Sequence, residues 1–198
     1  MARRTGGSYC GWGTWRACMN RARAALAILA ILTLSGHRAA ADALRPEDQV
    51  KTTVAALRGH WSFHGSVTDS ASKASSALTV VMDCRPAALG AAVSCALSGQ
   101  VAGAGQIAAA MVIGFNVSDQ RVYWMEISST GEYHTHRGSW HGNTIEFEPL
   151  VTPSEHGTST ELFQLNFPSP GNLLLKSTTM SAEGSSTIEA TAQRRPKP

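Results

Sequence analysis

Residues 106–129 read QIAAAMVIGFNVSDQRVYWMEISS, and their alternation decides the fold. Ile107, Ala109, Met111, Ile113 and Phe115 recur at every second position, so an extended chain carries all five on one face. Asn116-Val117-Ser118-Asp119 supplies the short polar side chains that favour a turn. After the turn, Tyr123, Met125 and Ile127 again share a face, read here as the inner one. Two strands joined by a tight connection make an antiparallel pair.

The same period of two runs outward in both directions. Stretches rich in Val, Ile, Thr, Tyr, Phe and Trp, bounded by Gly, Asn, Asp, Ser or Pro, predict strands over 59–67, 76–84, 91–99, 106–116, 120–129, 132–140, 143–149, 158–167, 172–181 and 185–194. Thr130-Gly131, Gly142-Asn143, Pro168 to Asn172 and Glu183-Gly184 mark turns between them. Phe163, Leu165 and Phe167 share a face in the eighth of these strands. One helix precedes the first strand. Pro46 suits its first turn, Glu47 and Asp48 suit the positive end of its dipole, Val50, Val54 and Leu57 follow helical spacing, and Gly59 ends it. No second helix and no βαβ unit is expected.

Composition sets the class. The chain has 198 residues with 43% hydrophobic and 16% charged, too apolar for disorder and too poor in charge for a coiled coil. The net charge of +3 is unevenly placed: six of the 17 basic residues precede position 42 and none of the 14 acids does, which leaves eleven against fourteen afterwards. Those six arginines, the apolar run Ala24 to Leu34 and the small residues near Ala39-Ala40-Ala41 form the three-part pattern of a cleaved secretory signal. Residues 1–41 are therefore expected to be a leader, with the true start at Met19 and cleavage after Ala41. Eleven helical residues span about 16 Å, roughly half a bilayer core, so no stable membrane span is expected after processing. Residues 42–195 form the domain and 196–198 a solvated tail, with no nucleic-acid role. The destination is the periplasm or the exterior. There Cys84 and Cys95, the remaining pair, can join as a disulfide across neighbouring strands, the alternative being two separate buried thiols.

Ten short strands in a meander leave two open edges unless the last returns to the first. Closure removes both, which predicts an all-β, antiparallel up-and-down barrel with a short N-terminal helix. Leu57-Arg58-Gly59-His60-Trp61, a Gly-x-Trp entering the first strand after a helix, resembles the signature of the lipocalin-like, or calycin, barrels. The span 44–195 is similar to a family of bacterial lipocalin-like proteins through that motif, Ile113-Gly114-Phe115-Asn116, Arg121-Val122-Tyr123-Trp124, Gly138 and Arg194-Arg195. The resemblance implies a barrel open at one end. It further implies a structural trio of Gly59, Trp61 and Arg194, with the arginine covering the tryptophan.

Catalytic patterns are weak by comparison. His134 and His136 share a strand face, but His141 has the opposite parity and lies about 16 Å from His136 along an extended strand. A zinc triad would need a ligand from another strand, so no metal and no cofactor are expected. Gly103-Ala104-Gly105-Gln106-Ile107-Ala108 fits a dinucleotide fingerprint in letters, yet it leads into a strand rather than a helix. Gly138-Ser139-Trp140-His141-Gly142 misplaces the serine of a nucleophile elbow. Glu146 and Glu148 share a face that reads as solvated.

The reading is a non-enzymatic exported protein that holds a small apolar or amphiphilic molecule. Its expected lining is Phe63, Met111, Ile113, Phe115, Tyr123, Met125, His134, His136, Phe163 and Leu165, with no catalytic residue. The alternatives are an isomerase or cyclase of the same fold using cavity histidines, and a filled barrel that works through its outer surface.

Overall fold

The computed structural model describes residues 45–154 and 157–196. The leader expected over 1–41, its start at Met19 and the last two tail residues lie outside them.

Helix α1, Pro46–Leu57, begins on proline, which needs no N–H partner in the first turn, and carries Glu47 and Asp48 there. Its buried residues Thr53, Val54 and Leu57 face the barrel, and Arg58 N–H closes it onto the Val54 carbonyl. Eleven strands follow among the described residues: β1 Gly59–Asp69, β2 Ser75–Ala87, β3 Ala92–Val101, β4 Gly105–Asn116, β5 Arg121–Ser128, β6 Tyr133–His141, β7 Thr144–Phe147, β8 Leu150–Ser154, β9 Gly157–Ser169, β10 Asn172–Ser181 and β11 Gly184–Arg195. Each of β1 to β6 pairs antiparallel with the next, β7 pairs with β9, and β9 continues through β10 and β11 back to β1. Ten strands thus close a ring. β11 meets β1 with Trp61 opposite Arg194 and Phe63 opposite Ala192.

The additional strand β8 comes from one break. Pro149 cannot donate a ladder hydrogen bond, so the strand expected over 143–149 stops at Phe147 and the chain resumes as β8 against β9. The β6–β7 ladder covers only Gly138 to His141. The earlier half of β6, with His134 and His136, therefore faces β8 across a gap in the ladder.

Cys84 and Cys95 face one another across β2 and β3 and form a disulfide. The glycines at 103 and 105, both at positive φ, turn the chain between β3 and β4, which removes the dinucleotide reading.

The α1 end of the barrel is sealed. Leu57, Trp61, Val93, Ile113, Val122, Ile145, Leu165 and Leu173 are all essentially inaccessible there. Trp61 Nε1 donates to the Leu57 carbonyl at 2.7 Å, and the Arg194 guanidinium lies 4.7 Å above the indole. Arg194 also donates to the Ala55 and Ala56 carbonyls at 3.0 and 2.6 Å, so a single side chain ties the last strand, the first strand and the helix C-terminus. Gly59 holds φ +127°, and a Cβ there would press on the Arg194 stem at 3.1 Å. Glycine is therefore required twice over at this entry.

One face assignment is corrected. Cross-strand partners share a face, and Ile113 and Phe115 stand opposite Trp124 and Val122. Val122 and Trp124 therefore point inward, and Tyr123, Met125 and Ile127 point outward. Both sets are apolar, so alternation alone could not choose between them. The register fixed by the Asn116–Arg121 pair did.

Candidate functional site

Inward positions change character along the barrel axis. Near α1 they are apolar and sealed. At the opposite end Val67, Leu97, Val101, Ile107 and Ile188 still pack on the core, yet all remain partly exposed. Solvent therefore reaches inward-pointing side chains from that end. The other half of the same rim is polar and carries Glu126, His134, His136, Glu161 and Ser177.

The ladder registers explain why these five meet. Glu126 stands opposite His134, and Trp124 opposite His136, across β5 and β6. β6 and β9 are both antiparallel to β7, hence parallel to one another. Ser139, Glu146 and Gln164 lie in one row across the three. Three residues back along β6 and β9 are His136 and Glu161, with the parity flipped from outward to inward. The β6–β7 ladder has ended there, and both side chains point into the barrel, where they approach one another on its inner side. Glu161 Oε2 lies 3.8 Å from His134 Nδ1 and 3.8 Å from His136 Nε2. Its Oε1 accepts the Ser177 hydroxyl at 2.7 Å. Trp124 Nε1 donates to Glu126 Oε2 at 2.9 Å.

His136 is buried at 4% exposure, and its Nδ1 has no hydrogen-bond partner. Aromatic rings enclose it: Phe163 at 5.3 Å and Phe147 at 5.9 Å between centroids, with these two phenyl rings stacked at 4.7 Å and Trp124 set edge-on to both. This burial pushes the imidazole below its ordinary range. Glu161 and Glu126 pull it back up and His134 pushes it further down. Burial among these rings thus favours the neutral form of the His136 imidazole.

Phe63, Met111, Ile113, Phe115, Phe163 and Leu165 lie buried in the barrel interior, and His134 and His136 stand at the polar rim. Tyr123 and Met125 lie outside: the tyrosine hydroxyl donates to Asp119 at 2.6 Å, and Met125 is 39% exposed. Met125→Ala is accordingly expected to change unfolding free energy by less than about 0.5 kcal/mol, against about 2–5 kcal/mol for Met111→Ala. Urea titration of both variants checks this, and a large loss at Met125 would contradict the face assignment.

The remaining sequence candidates stand apart from the rim. His64 bonds Ser62 on the outer wall, and His141 lies 4.0 Å from exposed Glu146. Glu148 binds Arg137. Trp140 donates to Thr53 and packs on Phe167 at the helix end. Two outer grooves, about 660 Å³ over β1 and β9 to β11 and about 790 Å³ over β2 to β4, gather no comparable cluster. In the first, Lys176 and Glu189 neutralise one another at 2.6 Å.

Glu161 and Ser177 were missed at the sequence level. The signal existed for Glu161, because it continues the face of Phe163, Leu165 and Phe167 by one more step of two. Glu126 likewise follows Trp124 once the parity of β5 is known.

No protein-family model matches this chain, and no curated protein does. Solved structures do. The S-type phycobiliprotein lyase of Guillardia theta is 11% identical, covers 79% of this chain and 100% of its own, and superposes with a TM-score of 0.53. A de novo designed fluorescence-activating β-barrel is 12% identical over 71% of this chain and 94% of its own, at a TM-score of 0.42. A further barrel, solved bound to DFHBI, is 10% identical over 72% and 99%, also at 0.42. The first of these is a likeness of fold alone, that of a closed antiparallel β-barrel.

Proposed function

We propose that this protein is an exported, non-enzymatic barrel that holds a small apolar or amphiphilic molecule at the end away from α1. The observation that carries the reading is the contrast between the two ends. The α1 end is sealed, whereas the opposite rim keeps inward apolar side chains open to solvent beside a compact polar cluster. An amphiphile fits that division, with its apolar part against Leu97, Val101 and Ile107 and its polar part toward His134 and Glu161. Lipocalin-like architecture supports the same reading by resemblance. Export is supported by the basic-apolar-small leader and by the disulfide. Among the described residues no helix is long and apolar enough to cross a membrane.

Magnitude limits the affinity. Moving about 300 Å² of ligand apolar surface out of water contributes roughly 7 kcal/mol, which is micromolar at best once ordering costs are subtracted. Native mass spectrometry of protein purified from its own host is expected to show one bound species per chain, lost on denaturation. The emptied protein is expected to bind anilinonaphthalene sulfonate with micromolar affinity. Protein that always emerges empty and binds no such probe contradicts the proposal.

The meeting of His134, His136 and Glu161 favours one second reading, an isomerase or cyclase using these histidines. Chemical conversion of the co-purified molecule on incubation with the protein separates it from simple binding.

A further inference from the structure

We infer that His134, His136 and Glu161 form a binding site for a divalent transition-metal ion of the zinc class. One donor atom from each of the three residues lies within 4.8 Å of the other two, and both nitrogen-to-Oε2 distances are 3.8 Å. An ion at the centre of such a triangle sits about 2.2–2.5 Å from all three donors, against about 2.0–2.2 Å for zinc bonded to imidazole or carboxylate. Small side-chain rotations cover the difference.

Two independent features point to a ligand there. First, the donors come from two strands that are not neighbours, and they converge beyond the point where the β6–β7 ladder ends at Gly138. Second, the carboxylate is already oriented: Ser177 holds Oε1 and leaves Oε2 turned to the two histidines. Phe147, Phe163 and Trp124 shield one side of the cluster, while the barrel mouth leaves the other open.

Two imidazoles and one carboxylate are the donor set that zinc and its neighbours prefer, whereas calcium and magnesium need more oxygen. Three protein ligands leave at least one coordination position free, and here it faces the mouth. A bound molecule with a carboxylate, phenolate or thiolate head could complete the sphere. The metal site itself does not depend on the ligand-binding proposal, and its test uses the metal alone.

Equilibrium dialysis of the folded, disulfide-bonded chain against Zn²⁺ is the experiment, with Co²⁺ absorption as a readout of geometry. One Zn²⁺ per chain is expected at micromolar concentration, and visible bands of low-coordinate Co²⁺. Glu161→Gln and His134→Asn are each expected to weaken uptake by about 100-fold, and Ser177→Ala by about 10-fold. These three positions are less enclosed by rings than His136, so the variants are chosen ahead of one that risks misfolding. Circular dichroism confirms their fold. His141→Asn, which removes an exposed imidazole beside Glu146, is expected to leave uptake unchanged. A wild-type chain that takes up no Zn²⁺, a Glu161→Gln chain that binds as tightly as wild type, or loss of uptake in His141→Asn overturns the inference.

Discussion

Replacing Trp61 with alanine is expected to lower the free energy of unfolding by about 3–5 kcal/mol, a large share of the roughly 5–15 kcal/mol that holds a typical domain together. Trp61 is completely buried and sits where β1, β11 and α1 meet. Its removal opens a cavity under the helix, frees the Leu57 carbonyl and takes away the surface on which Arg194 rests. Trp61→Phe is expected to cost less, because the ring volume largely remains while the indole N–H is lost. Urea denaturation followed by circular dichroism measures both. A loss below about 1 kcal/mol for the alanine variant would mean that the barrel does not close on this residue.

The second large effect is expected from Cys84→Ser combined with Cys95→Ser. The two cysteines are 11 residues apart in sequence and directly opposed in register. Releasing a loop of this length costs about 2–3 kcal/mol in the chain-entropy model. Two hydroxyls would also stand in a site where both sulfurs are buried. Denaturation of the double variant against the oxidised parent reads the loss. Equal stability would show that the β2–β3 hairpin needs no staple. Equal stability would also weaken the case for an oxidising destination.

Much of the architecture was legible because several signals agreed. Period-two patterning, explicit turn residues and the helix entering Gly59-His60-Trp61 all specify one antiparallel ring, and the ring is there. The disulfide was legible because only two cysteines follow position 41. Two features were not legible, for reasons that lie in the chain. Val122 to Met125 is apolar at every position, so its parity depended on the register with β4 and could not come from composition. The interruption at Glu148-Pro149 looked like a strand end rather than a break that resumes as β8. Glu161 meets His134 and His136 beyond that break, so the polar cluster was hidden with it. The spacing argument against a metal held for histidines alone. It left open a ligand from another strand, and Glu161 occupies that position.

The rim opposite α1 is the proposed place of ligand entry. Chemical-shift mapping of the folded chain with anilinonaphthalene sulfonate tests this most directly, because the two sides of the wall alternate residue by residue. Shifts are expected at Leu97, Val101, Ile107, His134 and Glu161, with their outward neighbours Ser98, Ala108 and Thr160 nearly silent. Shifts that follow the outward set, or that gather in the grooves over β2 to β4 or β9 to β11, would contradict it.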